Sequence, residues 1–413
     1  MTNVDLSILI PTYNRAQYLD HLLEFLKNEI YSLNYSYEII ISNNSSTDNT
    51  TEITNKHQSN LSFSYHTQTE NIGPLNNVNF LIKQAKGRYF IIIADDDIID
   101  FELLNFAIEK IISNKQAIVL FSPWQIWDYQ ENKSLGLFYD APEITVKKNN
   151  INEFGKFILE NKIFPEIGVY KTDYVKELLP IYFDNFFYAF KYALEFLGNG
   201  DIIFANIPFY KSLTKFNFHD NKTIIPRFQE GFQQARTSFA IYRNSLFFML
   251  KLMTFNHKEK NLYIDHINQF LCQRLHVGYH ISIQNHEFIK AYEIGSMILG
   301  EFGILESKFS INKVIDSAKL EYIKKIIVDN NFSKIIIFDK NPDFLNNEKS
   351  DFIKVLKKIF SENSIDITFN SFIEEKNTLY YFKNSDKVDS DFIKKIKSKY
   401  TIVDERILNF KFQ

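Results

Sequence analysis

The 413-residue chain contains one cysteine, 12 glycines and 9 prolines, and each scarcity excludes something. A lone thiol, Cys272, cannot close an internal disulfide or build a Cys-rich zinc site. It lies in NQFLCQRL, a helical pattern, and is expected in the core. Charge of one sign is also missing: 47 Lys and Arg stand against 50 Asp and Glu, a net charge of −3. No global attraction to nucleic acid or to an anionic membrane follows from that balance. The chain lacks a long uninterrupted apolar run. Its most apolar late stretch, SFAIYRNSLFFMLKLMTF, is broken by Arg243, Asn244 and Lys251, which argues against a transmembrane helix. At the N-terminus the apolar run of MTNVDLSILIPTYNR has a strand's length and no basic region before it, so it does not read as a signal peptide. A reducing, cytoplasmic setting is expected, including the inner face of a membrane.

Apolar residues make up 45% of the chain, ample for real cores, and the length allows two or three domains of roughly 100–200 residues each. The aromatic content is high, with 41 Phe and 23 Tyr. Codon usage of an AT-rich genome accounts for such a bias; exposed aromatics that bind sugars or lipids are the other reading.

Short apolar runs alternate with helical patterns through the first half. LSILIP (6–11), YEIIIS (37–42), 61–66, YFIII (89–93) and AIVLF (117–121) read as strands. Helices are expected over 18–30, from about 49, and over 76–85. Continuous apolar strands alternating with helices predict a mostly parallel sheet covered on both faces, with ligands at the carboxyl ends of its strands. From 226 to 303 the pattern is helical throughout. After it, KIIIF (334–338), 364–369, 378–382 and 400–403 read as strands, with helical patterns at 351–360 and 390–399. The expected organisation is an α/β domain over 1–220, a helical segment over 221–305, and a small α/β domain over 306–413.

Asp95-Asp96-Asp97 follows the fourth strand directly. Three adjacent carboxylates repel one another, and a divalent cation offsets that repulsion. Oxygen ligands suit Mg²⁺ or Mn²⁺ bridging to substrate phosphates, whereas a solvated acidic turn is the plainer alternative. The second polar turn, NNSSTD (43–48), either hydrogen-bonds a base or ribose or caps the next helix through Asp48 or Ser46.

Taken together, SILIPTYNRAQYL, EIIISNNSSTDNT and ENIGPLNNVNFLIKQAKGRYFIIIADDD resemble the family 2 glycosyltransferases of the GT-A fold in order and spacing. The resemblance is strong over about 4–100 and fades by about 220. It implies an inverting transferase that uses a nucleotide-diphosphate sugar, with a UDP-sugar favoured. The acceptor would be a glycan or lipid-linked glycan of a surface polysaccharide. Pro11, Thr12, Tyr13 and Arg15 would border the nucleoside, Asn43 and Asn44 would lie by the base, and Asn71 would also belong to the donor-binding site. Asn44 falls where the family usually carries an Asp that meets the base; an amide can still accept through its carbonyl, and thymidine or cytidine donors gain weight. Asp95 and Asp97 would be the metal-side pair and Asp96 would lie near the ribose or sugar. The family's first acid more often stands one residue earlier, where this chain has Ala94.

An inverting transfer needs a carboxylate to take the acceptor's proton. Asp184, with Glu166 behind it, is the expected base; Glu195 reads as a surface charge. His219 would reach the metal or diphosphate. Peripheral membrane association and self-association are compatible with this reading, and a nucleic-acid partner is not expected. Two rivals stay open. A nucleotidyltransferase would carry a Gly-rich basic loop after the first strand, where PTYNRAQYL has no glycine. A non-catalytic glycan-binding or scaffold protein fits Asn43-Asn44 but not the intact acidic triplet.

Overall fold

The computed structural model describes residues 4–180, 187–214, 229–284, 286–303, 305, 311–329, 333–338, 366–369, 378–382 and 401–404. Two compact units emerge. One comprises 1–225 with 237–270, the other 226–236 with 271–413.

The first unit opens as a run of β/α repeats. They are β1 (Leu6–Thr12), α1 (Ala16–Glu29), β2 (Tyr37–Asn43), α2 (Thr50–His57), β3 (Ser64–Thr67), α3 (Pro74–Gln84) and β4 (Tyr89–Ile92). The apolar runs of β1 and β2 are buried on both faces, as a sheet covered by helices requires. Leu19, Leu22, Leu23 and Leu26, spaced three and four apart, form the buried stripe of α1. Gly73, at φ 83°, turns the chain into Pro74, which suits the first helical position of α3. Gly87 leads into β4 so closely against β1 that an added Cβ would stand 2.5 Å from the Ser7 nitrogen.

Next come β5 (Ile98–Ile99), α4 (Phe101–Ser113), β6 (Ala117–Phe121), β7 (Trp124–Asp128), β8 (Lys133–Leu137), β9 (Ile144–Val146), α5 (Ile151–Asn161), β10 (Gly168–Lys171), α6 (Thr172–Glu177), α7 (Tyr188–Asn199), β11 (Asp201–Phe204) and β12 (Tyr210–Thr214). Eight strands form one sheet in the order β3-β2-β1-β4-β10-β6-β11-β9. The sheet is mixed rather than uniformly parallel. β10 runs antiparallel to both β4 and β6, and β9 antiparallel to β11. β10 enters from the edge where β4 and β6 end, the Ile167 carbonyl accepting from the Ser122 nitrogen, and so must run backwards. A second sheet, β5-β12-β7-β8, includes the two residues that follow the acidic triplet.

Much of the phenylalanine is core. Phe90, Phe121, Phe154, Phe190, Phe209 and Phe270 are among the largest fully buried side chains. Phe164 lies 5.0 Å from Phe270 and 5.5 Å from Phe190, ring centre to ring centre.

The helices α8 (Gln229–Leu252), α9 (His257–Gln284), α10 (Phe288–Phe302) and α11 (Ile311–Asp329) follow. Cys272, in α9, is half-buried rather than in the core, and its Sγ lies 3.5 Å from His276 Nδ1. The second unit ends in β13 (Lys334–Phe338), β14 (Asp366–Phe369), β15 (Thr378–Phe382) and β16 (Thr401–Asp404), a wholly parallel sheet in the order β14-β13-β15-β16. The helices expected at 351–360 and 390–399 lie outside the described residues. Among the described residues no helix is long and apolar enough to cross a membrane.

Candidate active site

In the strand order β3-β2-β1-β4, strand succession reverses between β1 and β4, the point where open α/β sheets bind ligands. Both strands end there in polar residues. Thr12 closes β1, and the chain leaves β4 through Ile93 and Ala94 into Asp95-Asp96-Asp97. All three acids are at most 5% exposed.

The three carboxylates have different partners. Asp95 accepts from Thr12 Oγ1 at 2.7 Å and from Arg15 Nη1 at 3.2 Å. The same Arg15 nitrogen lies 3.2 Å from Asp96 Oδ2. Asp97 accepts from the Tyr210 hydroxyl at 2.7 Å through Oδ2 and from the Leu213 nitrogen at 2.9 Å through Oδ1. The Tyr210 oxygen in turn accepts from the Ala94 nitrogen at 3.1 Å. Asp97 therefore ties the loop to β12, while Asp95 and Asp96 share a cation supplied by the protein itself. Burial pushes the Asp95 carboxyl from an ordinary 3.8 up to about 7; Arg15 and Thr12 pull it back and Asp96 adds to the rise.

Just beyond the triplet, Asp100 caps α4 by accepting from the Leu103 nitrogen and pairs with Lys211 at 3.1 Å. Lys211 also lies 4.9 Å from the ring centre of Trp127. Tyr210 and Lys211 carry no local sequence signal. Only the pairing of β12 with β5, more than a hundred residues earlier, brings them to the acids.

The turns after β1 and β2 are stitched to each other. The Asn14 nitrogen donates to Ser46 Oγ at 2.8 Å, and Asn14 Oδ1 accepts from the Thr47 nitrogen at 2.7 Å. Asp48 accepts from the Ala16 nitrogen and from the Thr50 nitrogen, at 2.9 and 3.1 Å, so one carboxylate caps two helices. Such a charge sits well at the positive ends of both. Asn14 and Ser45 hold positive φ, 53° and 63°, a conformation that costs of order 1–3 kcal/mol and gathers at functional turns.

Of the remaining expected residues, Pro11 lies within β1 and Tyr13 is 36% exposed. Asn43 is spent on structure: its Nδ2 donates to the Tyr65 hydroxyl and its Oδ1 accepts from the Ser46 nitrogen. Asn44 and Asn71 are joined at 2.8 Å. Glu166 precedes β10 at the same sheet edge, and its carboxylate accepts from the buried Tyr188 hydroxyl. Burial and the Glu166 charge raise the Tyr188 phenol well above its ordinary value. Glu195 pairs with Lys191 along α7. Asp184 and His219 lie outside the described residues.

Among the described residues, no group of three or more His, Cys, Asp or Glu side chains is gathered closely enough to hold a metal ion. Mg²⁺ commonly needs only one or two protein carboxylates when substrate phosphates and water complete its shell. Asp95 and Asp96, buried and already sharing a guanidinium, fit that role.

This fold and acid loop define a GT-A-type α/β domain followed by a helical segment. Residues 7–175 match the model of glycosyl transferase family 2. The chain is 38% identical over 94 residues to abequosyltransferase RfbV of Salmonella typhimurium, a match covering 22% of this chain and 28% of that protein. It is 29% identical over 146 residues to poly(ribitol-phosphate) beta-N-acetylglucosaminyltransferase TarS of Staphylococcus aureus, covering 35% of this chain and 25% of that one. The match thus spans about a quarter of the length of these curated relatives. Among solved structures, S. aureus TarS 1–349 in complex with UDP-GlcNAc aligns at TM-score 0.44 and 14% identity, over 90% of this chain and 95% of that one. A mannosyltransferase of Pyrobaculum calidifontis in complex with GDP-Man and Mn²⁺ aligns at 0.42 and 13%, over 88% of each.

Proposed function

We propose that this chain is an inverting glycosyltransferase that moves a sugar from a nucleotide-diphosphate sugar to a hydroxyl of a glycan acceptor. Surface polysaccharide or lipid-linked glycan assembly is the setting, in keeping with the products implied by the relatives' names. One observation carries the reading. Two buried carboxylates share Arg15 at the switch point of a sheet whose neighbouring turns are bonded into a single polar rim.

Strand spacing sets the fit. Neighbouring strands lie about 4.8 Å apart, so the end of β2 is roughly 10 Å from that of β4. An extended nucleoside diphosphate spans that reach, with its phosphates at Asp95 and Asp96 and its base beside Asn44 and Asn71. Tyr13, exposed between them, borders the nucleoside.

Mg²⁺ or Mn²⁺ bound at Asp95 and Asp96 would supply positive charge to the departing diphosphate. Arg15 adds a second positive group there, and Thr12 orients the Asp95 carboxylate. Asp97 holds the loop still through Tyr210 and Leu213 and is the brace of the triplet. Asp184 takes the acceptor hydroxyl's proton as that oxygen bonds to C1 and the C1–O bond to the diphosphate breaks; Glu166 is the alternative base. His219 serves as a further ligand toward the metal or diphosphate.

The test is thermal-shift and calorimetric binding of nucleotide diphosphates with Mn²⁺, followed by assay of donor hydrolysis. Binding that appears with Mn²⁺ and vanishes on chelation is expected. Binding without any hydrolysis or transfer would instead favour a non-catalytic glycan-binding role.

A further inference from the structure

The base end of the groove is lined by two asparagines whose amides are fixed in orientation. The Asn44 oxygen accepts from the Ile72 nitrogen at 3.0 Å. A backbone N–H can only donate, so this bond settles which side of the amide carries oxygen. The Asn44 nitrogen is thereby turned to Asn71, donating to its Oδ1 at 2.8 Å. Asn71 Oδ1 accepts a second time, from the Gly73 nitrogen at 2.9 Å, which uses both lone pairs. Asn71 is exposed, with its Nδ2 hydrogens uncommitted among the described residues, and Asn44, 3% exposed beside it, keeps one amide hydrogen. Neighbouring Asn43 is turned instead to Tyr65 and Ser46. What this pair offers a ligand is chiefly N–H: the Asn71 oxygen is filled, and the Asn44 oxygen, turned to the Ile72 nitrogen, keeps a single lone pair.

Pyrimidine bases differ on the edge such a pair would meet. Cytosine presents two adjacent acceptors, N3 and O2. Uracil and thymine present an N3–H between two carbonyls, so an amide N–H aimed at that position meets another donor. A carboxylate at position 44 would reverse the preference, because it only accepts.

We infer that the donor nucleotide carries cytosine, read by the amide hydrogens of Asn44 and Asn71. This rests on the glycosyltransferase reading above, which puts the base at the ends of β2 and β3. The bonds described for the two amides go to each other and to the backbone of Ile72 and Gly73 rather than to the acids, so base choice can be tested apart from catalysis.

Binding of CDP, UDP, TDP and GDP to the full chain with Mn²⁺, by calorimetry, tests it. CDP is expected to bind about tenfold or more tighter than UDP and TDP, the scale of one mismatched hydrogen bond. Asn44→Asp is expected to narrow or invert the CDP-to-UDP ratio, since its carboxylate accepts the uracil N3–H and still accepts from Ile72. Should that variant misfold, Asn71→Ala at the exposed position is expected to lower CDP affinity and leave UDP affinity unchanged. Equal affinities, or tighter binding of UDP, TDP or GDP by the wild-type chain, overturn the cytosine assignment and leave the transferase reading intact. Failure of all four nucleotides to bind overturns both.

Discussion

Two sheets in this chain share a four-strand parallel arrangement and end differently. In the first unit the order β3-β2-β1-β4 reverses between β1 and β4; in the second, β14-β13-β15-β16 reverses around β13. Both place apolar strands side by side, and Ile335, Ile336 and Leu379 are as buried as Ile8 and Leu9. The difference lies at the carboxyl ends. β1 and β4 run out into Thr12, Arg15 and the acids, with Asp95 bonded to Thr12 and Arg15 and Arg15 also reaching Asp96. β13 and β15 end on Phe338 and Phe382, followed in sequence by Asp339-Lys340 and Lys383-Asn384, with no run of acids. Both strand orders contain a switch point, and in the first the adjoining strand ends carry the bonded acids.

The sharpest way to break this comparison is to remove the acids. Asp96→Ala should weaken metal-dependent nucleotide binding by more than about 10²-fold, given the several kcal/mol that such electrostatic stabilisation supplies. Asp404→Asn, at the end of β16, should change it little. Calorimetry on both variants decides, and equal losses would mean the second sheet shares in the site. Close behind in size is the proton acceptor: Asp184→Asn should lower kcat by about 10²–10⁴-fold and spare donor affinity. If Glu166→Gln has that effect and Asp184→Asn does not, the base is Glu166.

A pH effect follows from Asp95. Its pKa is raised from 3.8 to about 7, so the metal-free folded chain holds that proton more tightly than the unfolded chain does. Its contribution to stability is therefore greatest below about pH 4 and falls as pH rises toward 7, then levels. Asp95→Asn should flatten the dependence of Tm on pH across that window and abolish nucleotide binding. In the wild type, metal-supported nucleotide affinity should climb by up to about tenfold per unit as pH rises toward 7 and level above it, as the cation displaces the proton. Affinity independent of pH would contradict that competition.

Smaller effects refine the contrast. Tyr210→Phe removes the hydroxyl shared by Asp97 and the Ala94 nitrogen; a loss of about 1–3 kcal/mol in stability and a several-fold loss of donor affinity are expected. Ile336→Ala, in the buried β13, should cost about 2–5 kcal/mol in the second unit's unfolding and leave nucleotide affinity unaltered. A fall in affinity there would sink the division between the two sheets.

What could be read from the sequence divides along local and distant interactions. β1, β2, β4 and β6 were legible because each is a continuous apolar run with a turn signal beside it. β10, four residues inserted antiparallel between β4 and β6, has no period of its own, and β7, β8 and β12 take their form from pairing across the chain. The same holds at the site. Thr12, Arg15 and the triplet belong to local motifs, and Asp48 could be foreseen as a cap. The unequal duties of the three acids could not, because they depend on Tyr210 and Leu213, 113 and 116 residues away.

That asymmetry bears on how such a protein can change. The acidic turn is anchored by its last member and by a tyrosine from another sheet, whereas Asp95 binds the side chains of Thr12 and Arg15 and Asp96 pairs with Arg15. Exchange of those two side chains, by selection or by an engineer, is expected to disturb the course of the turn less than exchange of Asp97. Asp97 and Tyr210 make it a socket whose contents are replaceable, and a library confined to positions 95 and 96 should return folded proteins far more often than one that includes 97.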